Sequence, residues 1–354
     1  MSKSQLIIPV LLAIFSFKCT PNTPDQAVDV YANGFPPIKM LEPSSQTQFV
    51  PVLEAQAEKG KNIIYAVSLA LAWEELKNQI GKPENLESDE LKLMEQSGSY
   101  KGALEVGEYV KDIKVTEQKI SVRTAFGKSL SFRYPMDSIT YSFAFNGESV
   151  RAFGMPYYSE TIASEIGILY YKSDDEFIIS ISLEQEGNEM ILAKGFSQDT
   201  RLSTTLENIY AAIEAGRKSD TAATAAWKYA LNESDEVVIP IVSFNLGNNF
   251  SGIENTHFSV GDEEHKIVKA YQRTALVLNQ FGAKIESEAE MVDSAAAIVD
   301  MPEAPKPTVK HLLFDKPFVM ILKKDKVRNP YFMMKVENTA LMAKVSASPD
   351  NDNK

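Results

Sequence analysis

The sequence predicts one α+β domain built from largely antiparallel sheets, with helices near each end. Between residues 120 and 192, apolar and aromatic runs alternate with turn sequences such as Phe145-Asn-Gly147, a pattern typical of antiparallel strands. Apolar residues at helical spacing follow Thr204, and a further strand-like run covers residues 267–279. The chain of 354 residues is long enough for one large mixed core, and no internal repeat divides it.

Composition excludes one broad class of function. Acidic residues outnumber basic ones by 48 to 36, and no basic cluster stands out along the chain. Because proteins that bind nucleic acids need a cationic surface to displace counterions, we do not expect nucleic acid as a partner.

The N-terminus has the pattern of an export signal. Lys3 precedes an apolar stretch, Leu6–Phe17, that is too short to span a membrane. The single cysteine, Cys19, follows directly, and its position resembles the lipidated cysteine of bacterial lipoproteins. This resemblance implies removal of residues 1–18 and anchoring to a bacterial membrane, as an outer-membrane, cell-surface or periplasmic protein. An ordinary signal peptide with an incidental cysteine is the alternative.

Three boundaries follow from composition and pattern. Residues 19–50 are rich in Pro, Ser, Thr and Asn and predict a flexible tether. A folded domain is predicted over 51–340, and the polar residues 341–354 predict a disordered tail.

Four segments of the domain have helical patterns. Ile63–Leu76 is apolar nearly all round, which predicts a buried helix. Pro83–Tyr100 predicts a short helix and a loop. Thr204 and Glu207 have capping-box spacing at the start of a third helix, and Ala-rich Thr221–Leu231 is a fourth candidate.

Residues 271–291 are the most informative stretch. An apolar run, Ala275–Leu278, predicts a strand, and Gly282 then allows the backbone to change direction. Strict alternation follows, with Ala283, Ile285, Ser287 and Ala289 on one face and Lys284, Glu286, Glu288 and Glu290 on the other. This pattern stands where a loop is expected, because an Ala/Pro-rich run, Ser294–Pro307, comes next. It fits either a strand able to enter a sheet or a solvated edge strand protected by charge.

Two later runs, Phe314–Phe318 and Tyr331–Val336, complete a pattern that resembles the C-terminal third of the serpins. In that family a strand of the central sheet ends in a glycine-containing hinge, a long exposed reactive loop follows, and two buried strands close the chain. Ser68 matches the second serine of the serpin Ser-Pro-x-Ser signature. Phe132 stands where the family has a Trp, and Gln272 where it commonly has a His.

The similarity covers roughly residues 50–340 but is incomplete. The stretch between Ser68 and Thr124 is shorter than in the family, so the N-terminal half is expected to be truncated and to lack the helix that lies across the sheet. The segment from Gly282 to Pro317 is longer than usual.

The resemblance implies a protease inhibitor that acts as a suicide substrate. A serine or cysteine protease would cut the exposed loop, and the cut loop would insert into the central sheet as an extra strand. The region Ala283–Pro307 is accordingly predicted to be exposed. The implied hinge residues are Gly282, Ala283, Ile285, Ser287 and Ala289, and the candidate scissile residues are Ala295, Ala296, Ala297 and Ile298.

Catalytic patterns are absent from the sequence. It contains no Gly-x-Ser-x-Gly elbow and no phosphate-binding glycine loop, and His257, His265 and His311 lack the spacing of metal ligands. We therefore predict neither an enzyme nor a metal or other cofactor. A non-inhibitory binding or structural lipoprotein on the same scaffold is the alternative function, and a domain that merely converges on these strand patterns is a third.

Overall fold

The computed structural model describes residues 34–116, 119–220, 223–287 and 309–345. Its helices are α1 (Ser68–Ile80), α2 (Asp89–Gln96), α3 (Glu160–Ala163) and α4 (Leu202–Ser219), with 3-10 turns at Ala223–Tyr229 and Thr339–Leu341. Its strands are β1 (Lys39–Met40), β2 (Thr47–Phe49), β3 (Asn62–Ala66), β4 (Val110–Thr116), β5 (Lys119–Ser131), β6 (Asp137–Ser138), β7 (Phe143–Phe145), β8 (Glu148–Val150), β9 (Ala152–Met155), β10 (Ile166–Ser173), β11 (Glu176–Ile181), β12 (Asn188–Lys194), β13 (Glu236–Pro240), β14 (Val242–Asn249), β15 (His257–Val260), β16 (Glu263–Lys266), β17 (Tyr271–Asn279), β18 (Gly282–Ser287), β19 (His311–Leu313), β20 (Phe318–Lys324) and β21 (Pro330–Val336).

Two large sheets form the body of the domain. The central sheet has the order β1-β14-β17-β18-β5-β4, and a second sheet has the order β10-β11-β12-β20-β21-β3-β2. They meet where Phe126 of β5 lies edge-on to Tyr331 of β21, with ring centroids 5.8 Å apart. A four-stranded sheet, β19-β13-β9-β6, and two hairpins complete the predicted α+β architecture.

The first predicted helix is a strand over its first residues. Asn62–Ala66 is fully buried as β3, and its backbone pairs with β2 on one side and β21 on the other. The helix starts only at Ser68. A short apolar run has no periodicity that separates a buried strand from a buried helix, so the two flanking strands decide the outcome.

Two other helix predictions are corrected in part. The helix α4 begins at Leu202, and no side chain caps it, so the predicted capping box at Thr204 is wrong. The Ala-rich stretch forms a 3-10 turn, Ala223–Tyr229, instead of an α-helix. By contrast, the short helix predicted within 83–100 is present as α2, where the Ser88 side chain accepts a hydrogen bond from the Leu91 amide.

The C-terminal strands agree with the prediction in one case only. β21 matches Tyr331–Val336, but the strand placed at Phe314–Phe318 actually begins at Phe318. Phe314 lies in the connection before it, fully buried, with its ring 5.2 Å from that of Phe318. Pro317 cannot donate a ladder hydrogen bond, which suits a connection better than a central strand.

The packed region extends beyond the predicted domain boundaries. β2 lies within the predicted 19–50 tether, yet Phe49 is only 5% exposed. At the other end, Leu341 and Met342 are buried although a disordered tail was expected from residue 341. Cys19 and the predicted signal segment lie outside the described residues.

Among the described residues, no helix combines the length and apolar character needed to cross a membrane. The same residues contain no cluster of three or more His, Cys, Asp or Glu side chains arranged to hold a metal ion.

Candidate functional site in the central sheet

The site is built around β18, the strand that leads into residues 288–308. β18 lies between β17 and β5 and is antiparallel to both, so it is an interior strand of the central sheet. The interpretation of this segment as an edge strand is therefore wrong. Gln280 and Phe281 form the turn that joins β17 to β18, and their carbonyls accept hydrogen bonds from the amides of Met136 and Phe132.

The predicted alternation is confirmed over the described part of β18. Ala283 and Ile285 are 2% and 0% exposed and join the main core, whereas Lys284 and Glu286 point to the opposite face. The prediction that Ala283–Pro307 is exposed is wrong for these two residues, because neighbouring strands cover both edges of the backbone. Ser287 pairs with Phe126 at the end of β18.

The remaining predicted site residues cannot be placed. Ala289 and the candidate scissile residues Ala295, Ala296, Ala297 and Ile298 lie outside the described residues. The hinge role of Gly282, Ala283, Ile285, Ser287 and Ala289 stays a prediction.

Gly282 occupies a position that only glycine fits. Its φ is +133°, and a Cβ atom there would lie 2.3 Å from the carbonyl oxygen of Leu130 on β5. Both the backbone conformation and the close approach of β5 thus require glycine.

We expect Gly282→Ala to weaken the pairing of β18 with β5 and to raise the amide hydrogen exchange of residues 283–287. Gly147→Ala is the matched control, because Gly147 also has a positive φ, +85°, but no atom lies within 4 Å of its Cβ position. Alanine at a positive φ costs about 1–3 kcal/mol in either variant, so a loss in Gly282→Ala beyond that range measures the clash. Equal losses in the two variants would contradict the close approach.

Beyond the end of β18, the first residue of α1 ties the two neighbouring strands together. Thr124 of β5 donates its hydroxyl hydrogen to the carbonyl oxygen of Ser68. Gln272 of β17 donates from Nε2 to the Ser68 hydroxyl (2.7 Å) and to the carbonyl oxygen of Ala66 (2.8 Å). Sequence comparison singled out Ser68 and Gln272 separately, and the structure brings them into contact.

Two buried polar atoms on β17 lie beside this network. Gln272 Oε1 and Thr274 Oγ1 are buried, and neither has a hydrogen-bond partner among the described residues. A buried polar atom without a partner costs about 1–3 kcal/mol. These two atoms therefore offset part of the stabilisation that the hydrogen bonds of Gln272 contribute at this place.

A partly buried ion pair lies under the same strand. Lys128 of β5, which is in register with Ile285, forms a salt bridge with Glu108 (2.9 Å), and Lys324 binds the same carboxylate at 2.8 Å. Burial acts to raise the pKa of Glu108, but the hydrogen bonds from Lys324, the Glu105 amide and Lys128 outweigh it and lower the pKa to about 2.

Because of this ion pair, we expect the free energy of unfolding to depend on pH in the acid range. Because the folded-state pKa lies below the unfolded value of about 4.3, the carboxylate stabilises the fold fully above that value and loses its contribution as pH falls toward 2. Because Glu108 is partly exposed and solvent screens the interaction, we expect the free energy of unfolding between pH 5 and pH 3 to drop by about 1 kcal/mol more in the wild type than in Glu108→Gln. Glu105→Gln, at an exposed neighbour, should keep the wild-type slope, and an unchanged slope in Glu108→Gln would refute the assignment.

A buried ion pair lies near the start of the described segment 309–345. Lys310 Nζ lies 2.7 Å from Asp235 Oδ2, and both side chains are 0% exposed. The Lys310 amide donates to the other oxygen of Asp235 at 2.7 Å, while Nζ also donates to the carbonyl oxygen of Trp227. This junction is fixed by three hydrogen bonds before β19 begins.

Sequence reasoning missed this anchor. Neither Lys310 nor Asp235 belongs to a motif of the sequence. The two residues are 75 positions apart, so no local pattern joins them. Phe132, at the position where the serpins have a Trp, directly follows the last residue of β5. It is buried, and its amide donates to the carbonyl oxygen of Phe281.

Comparison with known proteins gives structural likeness alone. No protein-family model matches the chain, and no curated protein matches it. The structure is similar to that of a cleaved Serpin 42Da, with a TM-score of 0.36 and 11% identity over 66% of this chain and 59% of that chain. It is also similar to Serpin48 from the insect Tenebrio molitor, described as a highly specific serpin, with a TM-score of 0.33 and 12% identity over 71% of this chain and 65% of that chain.

The chain thus spans less than two thirds of the length of either serpin. The fold is of the α+β class, as the sequence predicted.

Proposed function

We propose that the protein is a serpin-like inhibitor that traps a serine or cysteine protease after the protease cuts within residues 288–308. One observation carries the proposal. The six residues that directly precede this segment already form an interior strand of the central sheet, with apolar side chains toward the core. A strand that is already paired on both edges is the natural starting point for further insertion.

The neighbouring strands could accept a longer strand. β18 is paired with Phe126–Ser131 of β5 and with Ala275–Asn279 of β17, whereas β5 starts at Lys119 and β17 at Tyr271. If the register continued, residue 289 would lie opposite Thr124 and Gln272. Successive added residues would gain backbone hydrogen bonds alternately to β5 and to β17.

The covalent step would use the chemistry of the protease. Its serine or cysteine attacks the scissile carbonyl, the peptide bond breaks, and the protease histidine donates a proton to the departing amine. The new carboxyl side stays attached to the protease as an acyl-enzyme and is continuous with β18. The new amino side remains anchored through Lys310.

A second candidate is a non-inhibitory binding or structural protein on the same scaffold. One observation favours it: β18 is paired in the uncut chain, so part of the stabilisation that insertion would release is already present. The energy left to distort a protease would then be smaller.

The test is to incubate the protein with elastase-like, chymotrypsin-like and papain-like proteases. A trap gives a covalent complex that resists SDS, and the cut protein melts at a higher temperature. The non-inhibitory alternative predicts cleavage without either effect. Cleavage elsewhere, with 288–308 left intact, would overturn the trap.

The position of the cut gives a further criterion. Mass spectrometry of the released C-terminal fragment should place the cut among Ala295, Ala296, Ala297 and Ile298. Because Lys310 is 0% exposed, a protease should not reach it in the folded protein. A cut clustered after Lys306 would count against the assignment of the scissile region.

Lipidation of Cys19 and export to a bacterial membrane are a separate proposal, supported by the position of Cys19 directly after the apolar segment. Cys19→Ser should release the protein from the membrane fraction of its native host, while a surface change such as Lys218→Met should leave it there. Retention of Cys19→Ser in that fraction would contradict lipidation.

A further inference from the structure

The outward face of the central sheet carries apolar residues that are buried. Ala275 and Val277 of β17 point away from the main core and do not belong to it, yet they are 0% and 3% exposed. A face that is open to water would leave them accessible. Something else in the chain must therefore cover β17 on this side.

The covering segment is Phe35–Met40. The Pro36 carbonyl oxygen accepts a hydrogen bond from the side-chain amide of Asn245 on β14 (2.7 Å). On the other side of β17, Lys284 Nζ lies 5.2 Å from the centre of the Phe35 ring. Asn245 is in register with Ala275, and Lys284 with Val277. Two adjacent residues of the segment are thus attached on opposite sides of β17, above the two buried residues.

The segment then joins the sheet itself. β1 pairs in parallel with β14, with Lys39 opposite Leu246, and the amide of Leu41 donates to the carbonyl oxygen of Gly247 (2.8 Å). The position of Phe35 is consequently held by backbone pairing a few residues further along the chain.

We propose that Phe35–Met40 is a clamp that holds β18 in the central sheet. Lys284 can lie against Phe35 only while β18 occupies its place between β17 and β5. The clamp therefore stabilises the inserted arrangement, and a pull or a cut in the N-terminal segment weakens it. A segment can shift such an equilibrium only by contacts that differ between the two arrangements, and the Phe35–Lys284 contact is one of these.

The clamp does not depend on protease trapping. It concerns only whether β18 stays in the sheet, so it can hold on an inhibitory or a non-inhibitory scaffold.

Amide hydrogen exchange in the full chain tests the clamp. A cation–π contact at this partly exposed position predicts that Phe35→Ala raises the exchange rate of residues 283–286 by about two- to fivefold, with no change in β20. Ile38→Ala is the matched control, since Ile38 lies in the same segment but is 56% exposed, and it should leave β18 at the wild-type rate.

A second variant separates the contact from general destabilisation. Lys284→Met removes the cation and should give a similar increase, and the double variant Phe35→Ala/Lys284→Met should exchange no faster than the faster single variant. Unchanged exchange in β18, or an equal increase in β18 and β20, would overturn the clamp. Additive effects of the two substitutions would overturn the pairing of Phe35 with Lys284.

Discussion

Under the proposed trapping mechanism, Ala289→Arg is expected to turn the protein into an ordinary substrate of the protease. If β18 extends in its present register, residue 289 enters the sheet opposite Thr124 and Gln272, on the side where α1 begins. A guanidinium in that position would be buried without a counter-charge, at a cost of several kcal/mol. The protease should still cut, but the yield of covalent complex should fall at least about tenfold, and the rise in melting temperature after cleavage should disappear.

Glu290→Arg is the matched control. It introduces the same side chain one residue later, on the face that Lys284 and Glu286 share, where a charge can remain in water. It should behave as the wild type in complex yield and in melting temperature. If both arginine variants lose the effect equally, or if neither does, strand insertion in this register is wrong.

Breaking the anchor at Lys310 is expected to have the second large effect. Asp235→Asn keeps the shape of the side chain but leaves the Lys310 ammonium group buried without a counter-charge, with the Trp227 carbonyl oxygen still accepting from it. Removing one partner of a buried pair typically costs about 3–5 kcal/mol. Lys310→Met should cost less, since Asp235 would still accept hydrogen bonds from the amides of Lys310 and Asn232.

Urea unfolding of these two variants measures the effect directly. Lys218→Met serves as the control because the Lys218–Glu214 pair is exposed, with side chains 74% and 69% accessible, and such a pair contributes about 0.5 kcal/mol or less. A loss in Asp235→Asn no greater than in Lys218→Met would show that the buried pair does not hold the junction. In a separate amide hydrogen-exchange measurement, unchanged protection of β19 in the Asp235→Asn variant would count against the anchoring role of the pair.

The properties that depend on local geometry could be predicted from the sequence. The inward and outward faces of β18 follow from the two-residue repeat of an extended chain, and Ala283 and Ile285 are buried as that repeat requires. The glycine at 282 marked a change of direction because only glycine adopts its conformation without strain. β21 was predicted from a short apolar and aromatic run between turn residues.

Properties that depend on distant partners were decided by the tertiary structure alone. The sequence could not say whether β18 lies at an edge or in the interior, because that depends on β5, more than 150 residues earlier in the chain. The same holds for Asn62–Ala66, which is a strand because β2 and β21 flank it. Phe35 looked like part of a flexible tether because its partner, Lys284, is remote in sequence.

The sequence by itself therefore determined the alternation, the turn glycine and the order of the elements around residues 282–336, since these depend on backbone geometry and local composition. Only the tertiary structure decided that β18 is paired on both sides, that Lys310 is joined to Asp235, and that Phe35–Met40 covers the outward face of β17. The physical reason is that each of these contacts joins groups that are far apart in the chain. A local sequence pattern does not specify which distant groups will come into contact.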